Sequence, residues 1–349
     1  IAMEGTMKAA VMHAPRDMRI EERPLPAPKP DELLVRIHHV GICGSDLHFL
    51  KDGRLGNWVV DSPLVLGHES AGEVIQVGSE VSGFAVGDKV ALEPGVPCGS
   101  CKFCMAGHYN LCKKMSFMAI PGERDGAFRE YVAHPAKMCF KLPPNMSTLE
   151  GALCEPLSVG LYAVEKSGAK LGQSAVIFGT GCIGLVTLLV LKAVGVSDIT
   201  VVDIAQKRLD KALELGARRI IRGDQQDAVA ALMADGGCDL VFDAAGSPVT
   251  ALQATKVVAS NGVVVMVGMA ANPEIKLDMG TMAAREARLE TIFRYRNHYP
   301  TAIASVASGV IPLAKIASHV FPFSDIAEKV LFSMDHPEEV IKGVISFVD

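Results

Sequence analysis

Ala175-Val176-Ile177-Phe178-Gly179-Thr180-Gly181-Cys182-Ile183-Gly184 is the stretch on which the fold turns. Four apolar residues read as a buried strand, and the glycine-spaced loop after them opens an apolar helix at Ile183. A lone Gly-x-Gly-x-x-Gly is a weak signal, but between strand and helix it describes a dinucleotide loop. Gly179 makes the tight turn, Gly181 lets the backbone approach a pyrophosphate, and Gly184 lets the helix pack on the strand. The helix N-terminus favours the phosphate charge. The next apolar run, Asp198 to Val202, ends at Asp203, nineteen residues after Gly184. That carboxylate can accept hydrogen bonds from both ribose hydroxyls and repels a 2′-phosphate, which favours NAD over NADP. Arg208 covers the adenine or, in the opposite reading, holds a phosphate.

Outward from this loop, the units downstream repeat. Strands at 219–221, 240–242 and 263–267 alternate with helices at 207–215, 228–233 and 251–258. Repeated β-α units of this length predict a parallel, doubly wound sheet over 156–294. Upstream, short apolar runs at 8–12, 33–37, 72–77, 89–92, 131–133 and 138–142 are separated by turn residues and by Pro24, Pro26, Pro28 and Pro30. They predict an irregular β domain with few helices, followed by a helix over 152–166 with Pro156 near its start. After 294 the alternation fades into helices at 301–308 and 324–333 and a last strand at 343–347, a tail expected to rejoin the first domain. The expected fold class is therefore α/β, with one domain formed by 7–155 and 295–349 and the other by 156–294.

The totals narrow the function classes. The chain has 349 residues, 49% hydrophobic and 21% charged, with a formal net charge of −5. This is a globular composition, long enough for two cores. Mild acidity without a basic run argues against nucleic acid as partner. The longest apolar stretch, Ile183 to Val196, is interrupted by Gly, Thr and Lys192 and does not read as a membrane span. The first six residues lack the basic start and apolar segment of a signal peptide; they read as a vector remnant before a natural start at Met7, and the protein as cytoplasmic.

Nine cysteines in such a chain point to metal more than to disulfides, because Cys98, Cys101, Cys104 and Cys112 fall within fifteen residues. C-x2-C-x2-C-x7-C lets one loop fold around one ion, and four thiolates describe a closed structural zinc site. Ferredoxins share a similar start, but the fourth spacing and the missing proline after it argue against an iron–sulfur cluster. A second constellation is dispersed: Leu66-Gly67-His68-Glu69, Cys43 in Gly41-Ile42-Cys43-Gly44-Ser45-Asp46, and Glu155 in Cys154-Glu155-Pro156. One thiolate, one imidazole and one or two carboxylates make a catalytic zinc site with an open position. Alone, His68 would read as a buried, hydrogen-bonded histidine.

With these motifs in order, and with Cys154-Glu155-Pro156-Leu157-Ser158-Val159-Gly160 between them, the chain resembles the zinc-dependent medium-chain dehydrogenases over nearly its whole length. The branch it resembles most is that of the polyol (sorbitol and xylitol) dehydrogenases. The resemblance implies a GroES-like catalytic domain, a Rossmann domain and a cleft between them. It implies two zinc ions, with Cys43, His68 and a carboxylate on the catalytic one. Glu155 stands where the alcohol dehydrogenase branch has cysteine, whereas Glu69 is the ligand in some polyol enzymes; the choice stays open. The implied reaction is oxidation of a secondary alcohol to a ketone with hydride transfer to NAD. Ser45 would take the alcohol proton and pass it toward His48, or Glu155 would do so through water. Ile183, Val267 and Phe293 join the cofactor contacts, and Phe49, Arg294 and Tyr295 the substrate contacts. Phe49 replaces a tyrosine of many sorbitol dehydrogenases, so one hydroxyl contact is missing. The family also implies a homo-oligomer, a tetramer before a dimer, with no nucleic-acid or membrane partner. The rivals are a threonine or butanediol dehydrogenase, built from the same parts, and a non-catalytic nucleotide-binding relative.

Overall fold

The strands of the first 141 residues pair mostly antiparallel, and their buried faces meet in one apolar core. In the structure, a computed structural model that describes residues 5–268 and 274–348, Thr6–Ala14 pairs with Asp17–Pro24 and, at its end, with Leu64–Val65. Of the remnant expected at the start, residues 1–4 lie outside the described residues. A larger sheet runs Cys139–Lys141, Lys89–Leu92, Glu69–Val77, Glu32–Gly41, Gly343–Ser346, His319–Pro322, with Tyr131–Pro135 also on Glu32–Gly41. The core between these sheets collects Val11, Leu33, Ile37, Val40, Phe49, Leu66, Leu92 and Phe128. The last strand, Gly343–Ser346, pairs with the C-terminal end of Glu32–Gly41, so residues about 300 apart in sequence meet beside Gly41.

The chain divides into two units. One is residues 1–155, 299–309 and 317–349; the other is 156–298 and 310–316. The return to the first unit therefore falls at Tyr299 and not at 295, and a short segment near Leu313 belongs with the second unit.

The second unit holds a six-stranded parallel sheet in the order Arg219–Arg222, Asp198–Asp203, Ser174–Phe178, Cys238–Asp243, Val258–Met266, Arg288–Thr291. Strand order reverses beside Ser174–Phe178, and an open α/β sheet binds ligands outside the carboxyl ends of strands at that point. The glycine loop stands there.

Several elements depart from the sequence reading. The helix expected over 152–166 runs Thr148–Ser167, so Pro156 lies in its interior and removes one intrahelical hydrogen bond. The overlooked start signal is Ser147-Thr148-Leu149-Glu150: Ser147 N donates to Glu150 Oε2 at 2.9 Å and Glu150 N to Ser147 Oγ at 3.2 Å, a capping box. Gly44–Asp52 is a helix. Asp17–Pro24 and Arg288–Thr291 are strands that polar, exposed composition hid, and His319–Pro322 is a strand too short to show a period. No helix among the described residues is long and apolar enough to cross a membrane.

Candidate metal centre and nucleotide loop

Two local devices bring Cys43, His68 and Glu69 together. The first is Gly67, whose φ of 86° turns the chain between Leu66 and His68. A Cβ there would fall 2.7 Å from the Phe128 ring, so only glycine fits. The segment 126–128 holds the turn: Gly126 N donates to Val65 O, Ala127 N to Gly67 O and Phe128 N to Leu66 O, at 2.7 to 2.9 Å. The second device is Asp46, fully buried in the first turn of Gly44–Asp52. Its Oδ2 accepts from Cys43 N at 3.1 Å and its Oδ1 from Gly67 N at 3.0 Å, with His68 Nδ1 3.6 Å away. One carboxylate thus registers the two ligand-bearing segments against each other, and a group hydrogen-bonded behind the ligands in this way fixes their orientation. The Gly-Ser-Asp motif displayed this residue in the sequence without revealing its task.

The ligand atoms of Cys43, His68 and Glu69 all lie within 4.8 Å of one another. His68 and Glu69 are buried, and Phe117 tilts against the His68 ring at 5.6 Å between centroids. Burial by itself lowers the His68 pKa, but the Cys43 sulfur and the Asp46 carboxylate reverse this and hold it well above its ordinary value. A divalent cation held by these atoms takes the place of that proton beside a neutral imidazole. The donor set, one sulfur, one nitrogen and one oxygen, suits zinc and leaves a position open.

Glu155 is buried on its helix but is not one of the three groups in that cluster. It faces Glu93, a buried carboxyl that the sequence reading passed over. Burial, reinforced by Glu155, pushes Glu93 up to about 7, while Tyr109 opposes this by donating to Glu93 Oε1 at 2.6 Å. Buried His134 is driven down to about 3 by desolvation; its Nε2 lies 2.8 Å from Glu93 O and its Nδ1 3.2 Å from Arg124 Nη1. A neutral ring that accepts at Nδ1 and donates at Nε2 satisfies both.

Ser45 is half-buried on the first turn after Cys43, and His48 exposes its ring one turn on, with Nδ1 3.9 Å from Asp52. Phe49 is 1% exposed within the apolar core, a packing position that shows no face to solvent.

The four lobe cysteines also have their sulfurs within 4.8 Å of one another. Cys101 and Cys104 Sγ are 3.5 Å apart and Cys98 and Cys104 Sγ 3.9 Å, with no disulfide among the four. Tetrahedral thiolates at a zinc–sulfur distance of 2.3 Å stand about 3.8 Å apart, which those separations bracket. Backbone amides turn toward the sulfurs: those of Ser100 and Cys101 draw Cys98 down to about 6, and that of Cys104 lowers Cys101.

In the second unit Gly179 has φ 88°, and a Cβ there would lie 2.7 Å from Ala245 N. A Cβ on Gly184 would lie 1.9 Å from Gly179 O, so helix and loop touch backbone to backbone. Gly181 caps the helix Cys182–Ala193 and faces open space, the room a phosphate needs. Ile183 is half-buried on the first turn of that helix, and Val267 N is tied to Asp243 O at 2.9 Å. Asp203 proves busier than expected. Its Oδ2 accepts from Thr180 N at 2.7 Å and Thr180 Oγ1 at 3.0 Å, and its Oδ1 from Ile204 N and Ala205 N at 2.7 and 2.9 Å. Four donors meet the roughly four lone-pair sites of a carboxylate, so a ribose hydroxyl must share or displace one of them. Arg208 is half-buried on the following helix. Arg294 has φ 55°, a strained value for a residue with a Cβ, and its Cζ stands 4.8 Å from the Phe293 ring centroid. Tyr295 is buried beside it in sequence.

The family models agree with this anatomy. Residues 29–144 match the alcohol dehydrogenase GroES-like domain, and residues 182–308 match the zinc-binding dehydrogenase domain. The chain is 39% identical to the zinc-type alcohol dehydrogenase-like protein YdjJ of Escherichia coli, covering 97% of this chain and 99% of that one. It is 42% identical to sorbitol dehydrogenase of Bacillus subtilis, over 87% of each. The solved L-idonate 5-dehydrogenase of Escherichia coli superposes with a TM-score of 0.92 at 30% identity, covering 99% of both chains. A GroES-like β unit with an intact Cys–His–Glu cluster, a four-cysteine lobe and a Rossmann unit place this chain in the zinc-dependent medium-chain dehydrogenase family, in its polyol dehydrogenase branch.

Proposed function

We propose that this protein oxidises a secondary alcohol of a polyol of the sorbitol or xylitol type to a ketose, with NAD as hydride acceptor and two zinc ions per chain. The observation that carries the reading is the cluster of Cys43, His68 and Glu69, whose ligand atoms all lie within 4.8 Å of one another, with His68 and Glu69 buried. When bound there, zinc supplies Lewis acidity that makes an alcohol proton removable near neutral pH. Ser45 receives that proton, and His48, three residues further along the same helix face, returns it to water from its exposed ring. Glu155, buried next to Glu93, is the second route for the proton through water. Asp46 keeps Cys43 and His68 in register throughout. Arg294 supports the polyol reading because it can hydrogen-bond substrate hydroxyls, which a simple aliphatic alcohol lacks. Asp203 supports NAD over NADP, because a 2′-phosphate beside a carboxylate already filled by four donors meets repulsion. The reading carries with it a cytoplasmic homotetramer.

The test is NADH and NADPH formation on xylitol, sorbitol, L-idonate, threonine, butanediol and simple alcohols, with and without a zinc chelator. Chelator-sensitive NADH formation on polyols is the expected result. Turnover only on threonine or a diol refutes the polyol assignment and leaves the zinc chemistry. A protein with one zinc and no turnover on any substrate refutes the enzymatic reading.

A further inference from the structure

Glu69 has a second claimant. Lys342 Nζ stands 2.5 Å from Glu69 Oε2, and the two side chains are 2% and 1% exposed. The same ammonium donates to Ile42 O at 2.9 Å, the carbonyl immediately before Cys43. Lys342 cannot easily withdraw, since Ser318 grips its backbone: Lys342 N donates to Ser318 Oγ at 3.0 Å, and Lys342 O accepts from Ser318 N at 2.9 Å. The register on the other side is equally tight. Gly41 pairs directly with Glu69, and a Cβ on Gly41 would lie 1.9 Å from Glu69 Oε2 and 3.1 Å from Lys342 Cε. The carboxylate thus occupies the place of the side chain that Gly41 lacks.

Charge makes this arrangement consequential. A thiolate from Cys43, a carboxylate from Glu69 and a neutral His68 cancel a divalent ion completely. The buried Asp46 carboxylate beside His68 offsets the Lys342 ammonium, so what Lys342 changes is how much of its charge Glu69 can lend the ion. In the metal-free protein the same ammonium keeps Glu69 from being an isolated buried anion, which is the costly case. Of the two carboxylate oxygens, Lys342 Nζ stands against Oε2.

We propose that Lys342 is a positioning residue of the metal centre, which holds Glu69 by one oxygen and shares its charge with the ion, so that the ion is bound less tightly and remains a stronger Lewis acid. This rests on the reading that Cys43, His68 and Glu69 hold the exchangeable zinc. Lys342 belongs to none of the motifs that mark the site in the sequence, and it reaches the site from the residue immediately before the strand Gly343–Ser346 of the first unit.

The experiment uses the full-length chain loaded with zinc and follows metal transfer to excess 4-(2-pyridylazo)resorcinol. Wild type should release two ions per chain in two phases, the slower one from the four-cysteine lobe. Lys342→Met should slow the faster phase at least tenfold and leave the lobe phase unchanged, and Lys342→Arg should restore the wild-type rate. In a Glu69→Gln background, Lys342→Met should change nothing. A wild-type protein with only the lobe zinc overturns the site reading itself. Two zinc ions with a faster phase unaltered by Lys342→Met overturn the role of Lys342 alone. Should Lys342→Met not fold in the presence of zinc, the double variant is compared with Glu69→Gln; equal release rates support the proposal, and unequal rates overturn it. Cobalt substitution gives an independent view: the visible bands of the cobalt protein should shift in Lys342→Met and not in Lys342→Arg.

Discussion

Gly41→Ala is a one-methyl perturbation whose effect can be worked from the coordinates. The new Cβ would sit 1.9 Å from Glu69 Oε2, where 3.4 Å begins ordinary contact. The carboxylate must therefore withdraw by about 1.5 Å, several times the roughly 0.2 Å within which a metal–ligand distance can vary. Retreat toward Lys342 is closed, since its Nζ is already 2.5 Å from the same oxygen and its Cε would be 3.1 Å from the new methyl. Glu69 then leaves the ligand cluster while Cys43 and His68 keep their Asp46 clamp. Loss of one aligned ligand should weaken the exchangeable zinc by at least the roughly 10- to 100-fold that follows when a group supporting a ligand is lost, with turnover falling in proportion. Overpacking should cost about 1–3 kcal/mol of stability. The assay is zinc per chain after gel filtration, with competitive chelation to give the affinity. Lobe zinc should survive, so the count should fall from two toward one. A Gly41→Ala protein that keeps both ions at wild-type affinity refutes the assignment of Glu69 to the metal.

Asp203→Asn keeps the shape of the side chain but halves its acceptors, so the Thr180 and Ile204–Ala205 donors cannot all be satisfied; hydrogen bonds to charged groups contribute about 1.5–3 kcal/mol each, and KM for NAD should rise at least tenfold with a lower melting temperature. An unchanged KM and unchanged NAD/NADP ratio refute both the clamp and the ribose role. Glu93→Gln tests the buried carboxyl. Because the folded-state pKa of about 7 lies above the ordinary 4.5, its stabilisation is complete below pH 4.5 and is lost as pH rises through 7. Relative to wild type, the variant should therefore gain about 3 kcal/mol between pH 4.5 and pH 8 in denaturant titrations, and a pH-independent difference refutes the shift. Cys104→Ser should remove the lobe zinc alone and lower the melting temperature, with the faster phase of zinc release unchanged; retention of two ions refutes the tetrathiolate site.

Sequence carried the parts of this molecule that are local and periodic. The strand–glycine loop–helix at 174–193 needs only neighbours, so its apolar run and glycine spacing announced both structure and task. The same holds for the lobe, where four cysteines within fifteen residues supply a complete ligand set. What stayed hidden depends on register between distant segments. Glu69 and Glu155 are equally plausible carboxylates in a linear reading, and only the antiparallel pairing of Gly41 with Glu69 brings the former to Cys43. Asp46 stood inside a quoted motif, yet its work is to bridge two loops. Strands such as Arg288–Thr291 lie at an edge with no apolar face, so composition could not reveal them. Phe49, which the family resemblance implies as a substrate contact, packs in the core, a placement that no periodicity announced.

The late arrival of Lys342 has a consequence for how the molecule is made. The strand pairs that hold Cys43 and Glu69 can form once the first 155 residues have left the ribosome, but their counter-ion, Lys342, follows only after the second unit has been made. Throughout synthesis of the second unit, the half-built pocket keeps an unneutralised carboxylate in an apolar setting, unless a metal ion arrives first. A nascent chain that captures zinc early gains a scaffold for its own first unit, and one that does not must wait for its final strand. Zinc supply during translation would then decide which of two folding orders the chain follows.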